Sequence, residues 1–204
     1  MINQAKVQLS PLEMELVTNA NWILTKNNIL QKVMDLLGTV QYQQQEYLQI
    51  SSLHLPAEVI QTSAKISKGE KYQGLPYMIL DQPRYFNKEN IFAIRHLFWW
   101  GNFFSSTLHL AGDYKLQNEQ KLIKALDLLK NERLFICINP DPWEHHFEEG
   151  NFVPVSSFHN KEPERIILDN PFIKLSRKIP LKDWNSVTKN LFETFRLYVS
   201  LLKD

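Results

Sequence analysis

Residues 91–111, IFAIRHLFWWGNFFSSTLHLA, set two aromatic and aliphatic runs on either side of Gly101-Asn102. Gly-Asn between strand-like runs marks a two-residue hairpin. A type II′ turn needs positive φ at its first central position, which glycine takes without strain. The hairpin folds locally and gathers two Trp and four Phe in one place. In this register Trp100 faces Phe103 and Trp99 faces Phe104. Trp99, Leu97, Arg95 and Ala93 then share a face with Phe104, Ser106, Leu108 and Leu110, the better core face apart from Arg95. His96, Thr107 and His109 gather on the other face, the two imidazoles diagonal across the strands. A one-residue slip would carry one whole strand to the opposite face.

Helical signals dominate the segment before this hairpin. Residues 1–9 read as a disordered start. Ser10, Pro11 and Glu13 predict a capping box with proline at the first helical position. Leu12, Leu16 and Ile23 follow at helical spacing. A second start at Thr25 leads a stripe of Ile29, Leu30, Val33, Met34 and Leu37, which breaks at Gly38 before more helix over 39–49. The glutamines at 41, 43, 44 and 45 read as a solvated helix face. Pro56 opens a third helix that runs to Gly69.

From Gly74 the pattern changes to strands. LPYMILDQ is bounded by Gly74 and Pro83, and Leu134 to Ile138 is a short run buried on both faces. Asn118 caps a helix over 118–131. The proline-rich stretch 140–171 hides strands at 152–155 and 166–168. Ile173, Leu175 and Ile179 alternate with Lys174 and Lys178, as in a strand with one wet face. A helix over 183–203, capped by Asp183, closes the chain. Strands in runs with segregated helices predict an α+β fold. One domain spans 1–204, helical over 1–69, with a mixed or antiparallel sheet of about five strands covered on one face by helices 118–131 and 183–203.

Composition narrows the function classes. With 23 basic and 22 acidic residues the net charge is +1, which gives no electrostatic footprint for nucleic acid. A single cysteine, Cys137, excludes an internal disulfide, and its mid-strand place reads as an inert core thiol. No apolar run reaches the 18 residues of a membrane span, and the N-terminus lacks the pattern of a secretory signal. A cytoplasmic protein without membrane or nucleic-acid partners is the expectation.

Two clusters carry chemistry-capable side chains. His96 and His109 share the hairpin face described above; packing against Trp and Phe is the plainer role, metal binding or proton transfer the sharper one. Residues 141–149, DPWEHHFEE, follow a buried strand and offer Asp141, Glu144, His145 and His146. The spacing matches no zinc signature, and a turn anchored by Trp143 and Phe147 is the plainer role. Arg95 needs an acidic or carbonyl partner if buried. Phosphate-binding glycine loops and a nucleophile elbow are absent.

Two function classes follow. The first is a non-catalytic binding or assembly protein, as a homodimer or with another protein, using the hairpin aromatics or the helical part. The second is a metal-assisted hydrolase. A divalent metal on His96, His109, Asp141, His145 and His146 would lower the pKa of a bound water, with Glu144 as general base.

Overall fold

The computed structural model describes residues 7–50, 55–159 and 161–203. The chain reverses at Gly101 between β3 (Ile91–Trp99) and β4 (Phe103–Ala111). Trp99 pairs with Phe103, so three residues rather than two make the connection. The Asn102 N–H donates to the Trp99 carbonyl (3.1 Å), and Gly101 stands third in that turn at φ +71°. This is the positive-φ position of a type II turn, not the second position that type II′ uses. The shift exchanges partners. Phe92, Ile94, His96 and Phe98 share a face with Phe104, Ser106, Leu108 and Leu110, and Arg95, Leu97 and Trp99 share the other with Phe103, Thr107 and His109. His96 and His109 lie on opposite faces, so the expected pair of imidazoles is not formed.

The fold is α+β, and its sheet is antiparallel with seven strands rather than about five. Their order is β1-β2-β3-β4-β7-β5-β6, with β1 (Lys65–Tyr72), β2 (Leu75–Phe86), β5 (Phe135–Cys137), β6 (Phe152–Pro154) and β7 (Phe172–Pro180). The segment from Pro56 forms only the short α3 (Ala57–Gln61) before it turns into β1 and pairs the free edge of β2. β2 continues through Pro83, whose missing N–H falls where the register shifts between Asp81 and Arg84. The stretch 166–168 is helical, inside α6 (Glu162–Asp169), with Ile166 and Ile167 packed on the core and Leu168 exposed.

Helix α1 (Pro11–Thr18) begins with the expected capping box: Ser10 Oγ accepts from the Glu13 N–H (3.3 Å) and Glu13 Oε2 from the Ser10 N–H (2.7 Å). Asn19 then ends α1, and its side-chain oxygen accepts from the N–H groups of Asn21 and Trp22 to start α2 (Ala20–Ile50). The break thus falls at Asn19. Gly38 lies inside an unbroken helix, held by the docked stripe Val33, Leu37, Val40 and Gln44. Gln44 is buried, not solvated. Asn118 sits within α4 (Asp113–Lys124), its amide donating to the Tyr114 carbonyl (2.8 Å), and α5 (Leu126–Asn131) follows. α7 (Val187–Leu201) starts after a 3-10 turn that includes Asp183.

Helices α2, α4 and α7 cover one sheet face. Two hydrophobic clusters fill that side, one around Phe98, Phe104, Leu37 and Leu191 and one around Ile94, Leu108, Leu175 and Phe195. The other face is roofed by residues 138–151, the connection from β5 to β6, through Trp143, His145 and Phe147. Among the described residues no helix is long and apolar enough to cross a membrane.

Candidate functional site

The roofed face carries a polar belt. Asp81, Arg95, Thr107 and Ser176 are successive cross-strand partners on β2, β3, β4 and β7. Arg95 meets Asp81 as a fork, Nε to Oδ1 at 2.7 Å and Nη2 to Oδ2 at 2.9 Å, the bidentate geometry that makes an ion pair strong. Asp81 is the acidic partner that a buried arginine requires. Thr107 Oγ1 and Ser176 Oγ lie 2.8 Å apart. In the adjoining row His109 pairs directly with Lys174. Arg95 is the diagonal neighbour of His109.

Lys174 does not face water, as its alternation with Ile173 and Leu175 suggests; it is 1% exposed. Its ammonium donates to the Glu144 carbonyl (2.6 Å) and lies 5.0 Å from the Phe152 ring centre. Burial, aided by the Arg95 charge, pulls its pKa down to about 8, against the opposing pull of Cys137, Asp141 and Glu144. His109 packs edge-on against Trp143 and Phe172, both at 5.7 Å. Its Nε2 is buried without a hydrogen-bond partner among the described residues. Burial, then the charges of Lys174 and Arg95, push it down to about 3. His145 Nε2 lies 3.3 Å from Arg95 Nη1, and burial followed by Arg95 and Lys174 holds it well below the usual imidazole range. Both imidazoles are therefore neutral near pH 7, where a general acid or base needs a pKa close to the working pH.

The roof is fastened at a few points. The Tyr72 hydroxyl accepts from the N–H groups of His145 (2.8 Å) and His146 (3.1 Å) and donates to Glu144 Oε2 (2.9 Å). Burial, with the Glu144 carboxylate beside it, pushes Tyr72 up to about 12. The Asn151 amide bonds the His146 carbonyl. Phe147 enters an aromatic nest of Phe103, Phe135 and Phe152 at 4.8–5.0 Å. Trp143 and Phe147 thus anchor the turn, as expected. Cys137 is a buried thiol whose pKa burial raises.

The residues expected to hold a metal do not converge. His96 is on the helix side, bonded to Gln44 of α2, and burial pushes it down to about 3. His109 lies beneath the roof, and His145 belongs to the roof itself, its ring against Arg95. Asp141 is exposed and accepts from the Trp143 N–H (2.8 Å). The Glu144 carboxylate is engaged by the Tyr72 hydroxyl, with His146 Nε2 at 3.6 Å. Among the described residues, no group of three or more His, Cys, Asp and Glu side chains could hold a metal ion. Metal-assisted hydrolysis with Glu144 as base gains no support from this placement.

Sequence reasoning missed Lys174, Asp81 and Tyr72. Asp81, at the end of the apolar run from Met78 to Leu80, was the available signal, since a carboxylate in such a strand calls for a cation. No family model, curated protein or solved structure matches this chain.

Proposed function

We propose that this chain is a non-catalytic assembly protein that pairs with a second copy through its N-terminal helical arm. The observation that carries this is the apolar surface of residues 7–26, left largely exposed among the described residues. No residue of α1 is buried, and the first buried residue of α2 is Val33. Leu12, Met14, Leu16, Val17, Trp22 and Leu24 are each more than 40% exposed. With Val7, Leu9 and Ile23 they expose on the order of 800 Å², about what each partner gives to an interface of standard size. The hairpin aromatics Phe98, Trp99, Phe103 and Phe104 are buried and serve the core instead.

Charge favours a second copy as the occupant. The arm has Glu13 and Glu15 towards one end and Lys26, which also meets Glu70 at 2.7 Å, at the other. An isologous antiparallel pairing sets the carboxylates of each arm towards the lysine of its partner. A lipid surface would call for a basic polar face, which two glutamates do not provide.

Light scattering and sedimentation at micromolar concentrations test this. The expected result is a dimer that Leu12→Glu with Val17→Glu converts to a monomer of unchanged circular dichroism and Tm. A wild-type monomer at high micromolar concentration, or a dimer that survives both substitutions, overturns it.

A further inference from the structure

We propose that Lys174, His109 and Arg95 form a binding site for a small oxyanion, a carboxylate or a phosphoryl group, over which residues 141–146 close. The three side chains stand on adjacent strands of one sheet face. His109 is the direct cross-strand partner of Lys174, and Arg95 is diagonal to His109. All three lie on the sheet face that the roof covers, where Trp143 packs against His109 at 5.7 Å and lies 5.9 Å from the Arg95 guanidinium.

Each of the three has a donor to give. The Lys174 ammonium has three N–H groups, and its partners are one carbonyl oxygen and one ring face. Among the described residues no carboxylate forms an ion pair with it. The His109 Nε2 is buried and has no hydrogen-bond partner among the described residues; in the tautomer protonated there it is a donor without an acceptor. Arg95 commits Nε and Nη2 to Asp81 and leaves Nη1 facing His145. Asp81 pairs with one of the two cations; the other, the buried Lys174 ammonium, feels Asp141 and Glu144 only at a distance and touches no carboxylate among the described residues.

A buried charge without a counter-charge is unfavourable, and an apolar side chain of similar length fills the same volume without that penalty. Lysine at this position is explained by an anion that completes it. The carboxylates nearest the site are otherwise engaged, Glu144 by Tyr72 and Asp141 by the backbone of its own turn. In the closed structure the Glu144 carbonyl occupies the place on Lys174 that a ligand oxygen would take. Trp143, 48% exposed, packs over His109, so opening requires outward movement of the indole and release of the Glu144 carbonyl from Lys174, of residues 144–146 from the Tyr72 hydroxyl and of His145 from Arg95. Neutral imidazole and guanidinium donors then complete an oxyanion cradle.

Thermal unfolding with sodium acetate and with sodium phosphate, against sodium chloride at matched ionic strength, tests the site. A saturable rise in Tm with one of the two anions is expected, and it identifies the carboxylate or the phosphoryl group as the ligand. Lys174→Met should keep the fold and lose the rise. Should Lys174→Met fail to fold, the wild-type His109 ring signals decide: they must shift saturably with the same anion in nuclear magnetic resonance spectra. The proposal is overturned if neither anion at tens of millimolar raises Tm or moves those signals beyond the chloride control. It is equally overturned if Lys174→Met responds as the wild type does.

Discussion

The two faces of the sheet are both buried, yet they are built from different material. Under the helices the sheet presents Leu80, Ile94, Phe104, Leu108 and Leu175, with polar exceptions in the pair of His96 and Gln44 and, towards its edge, Arg177 with Glu132 and Thr194. Under residues 138–151 it presents Asp81, Arg95, Thr107, Ser176, His109 and Lys174 in two adjoining rows. A helix satisfies its own backbone and can offer an apolar stripe. An irregular cover must find partners for its amides and carbonyls one by one, and Tyr72, Asn151 and Lys174 supply them here. Packing accounts for the first face. It does not account for a buried ammonium on the second.

Substitutions on each face separate the two materials. Phe104→Ala, on the helix side and fully buried, should cost about 3–5 kcal/mol in urea unfolding, from lost transfer energy and the cavity left behind. Asp81→Ala, on the roofed side, should cost about 3 kcal/mol because it strands the Arg95 charge. Asp81→Leu combined with Arg95→Met should recover most of that loss. A double variant as unstable as the single one would show that the roofed face does not depend on this ion pair.

Acid sharpens the contrast further, since imidazoles are buried on both sides. Burial keeps His96 and His109 unprotonated down to about pH 3, whereas the unfolded chain takes up protons near 6.5. The unfolded state binds more protons throughout that window, so stability is complete above it and is lost as pH falls. Each such imidazole contributes a slope of about 1.4 kcal/mol per pH unit. Unfolding midpoints across the acid range measure the slope, and His109→Phe should reduce it. A profile that His109→Phe leaves unchanged would place that ring in water.

The smallest effect should come from Gly38→Ala, which touches neither face. The position is interior to α2, and a Cβ there meets nothing within 4 Å. A gain of about 0.5–1 kcal/mol in urea unfolding is expected from the helix preference of alanine.

Local chemistry was legible in the sequence; long-range pairing was not. The capping box at Ser10 and Glu13 is spelled by residues that touch each other, and so is the reversal at Gly101. Whether that glycine stands second in a two-residue turn or third in a longer one depends on backbone twist, which Gly-Asn leaves open, and one residue decides which imidazole faces which side. The segment at 64–68 follows Val59 and Ile60 closely enough to be read into their helix, although Ala64 and Ile66 stand two apart. It becomes β1 because the edge of β2 is available, a fact of assembly. Lys174 alternates as a solvent-facing lysine should, and only the return of residues 138–151 over it takes it out of water.

The roof belongs topologically to a hairpin, and this has a practical consequence. Cys137 of β5 and Phe152 of β6 are paired residues, so everything between them is a loop joining two neighbouring strands. The sheet register elsewhere does not pass through it. That connection is a replaceable cassette: a tight turn grafted between the same two residues would bare the belt while leaving the remaining strand order as it stands, and a different insert would give the same platform a different lid.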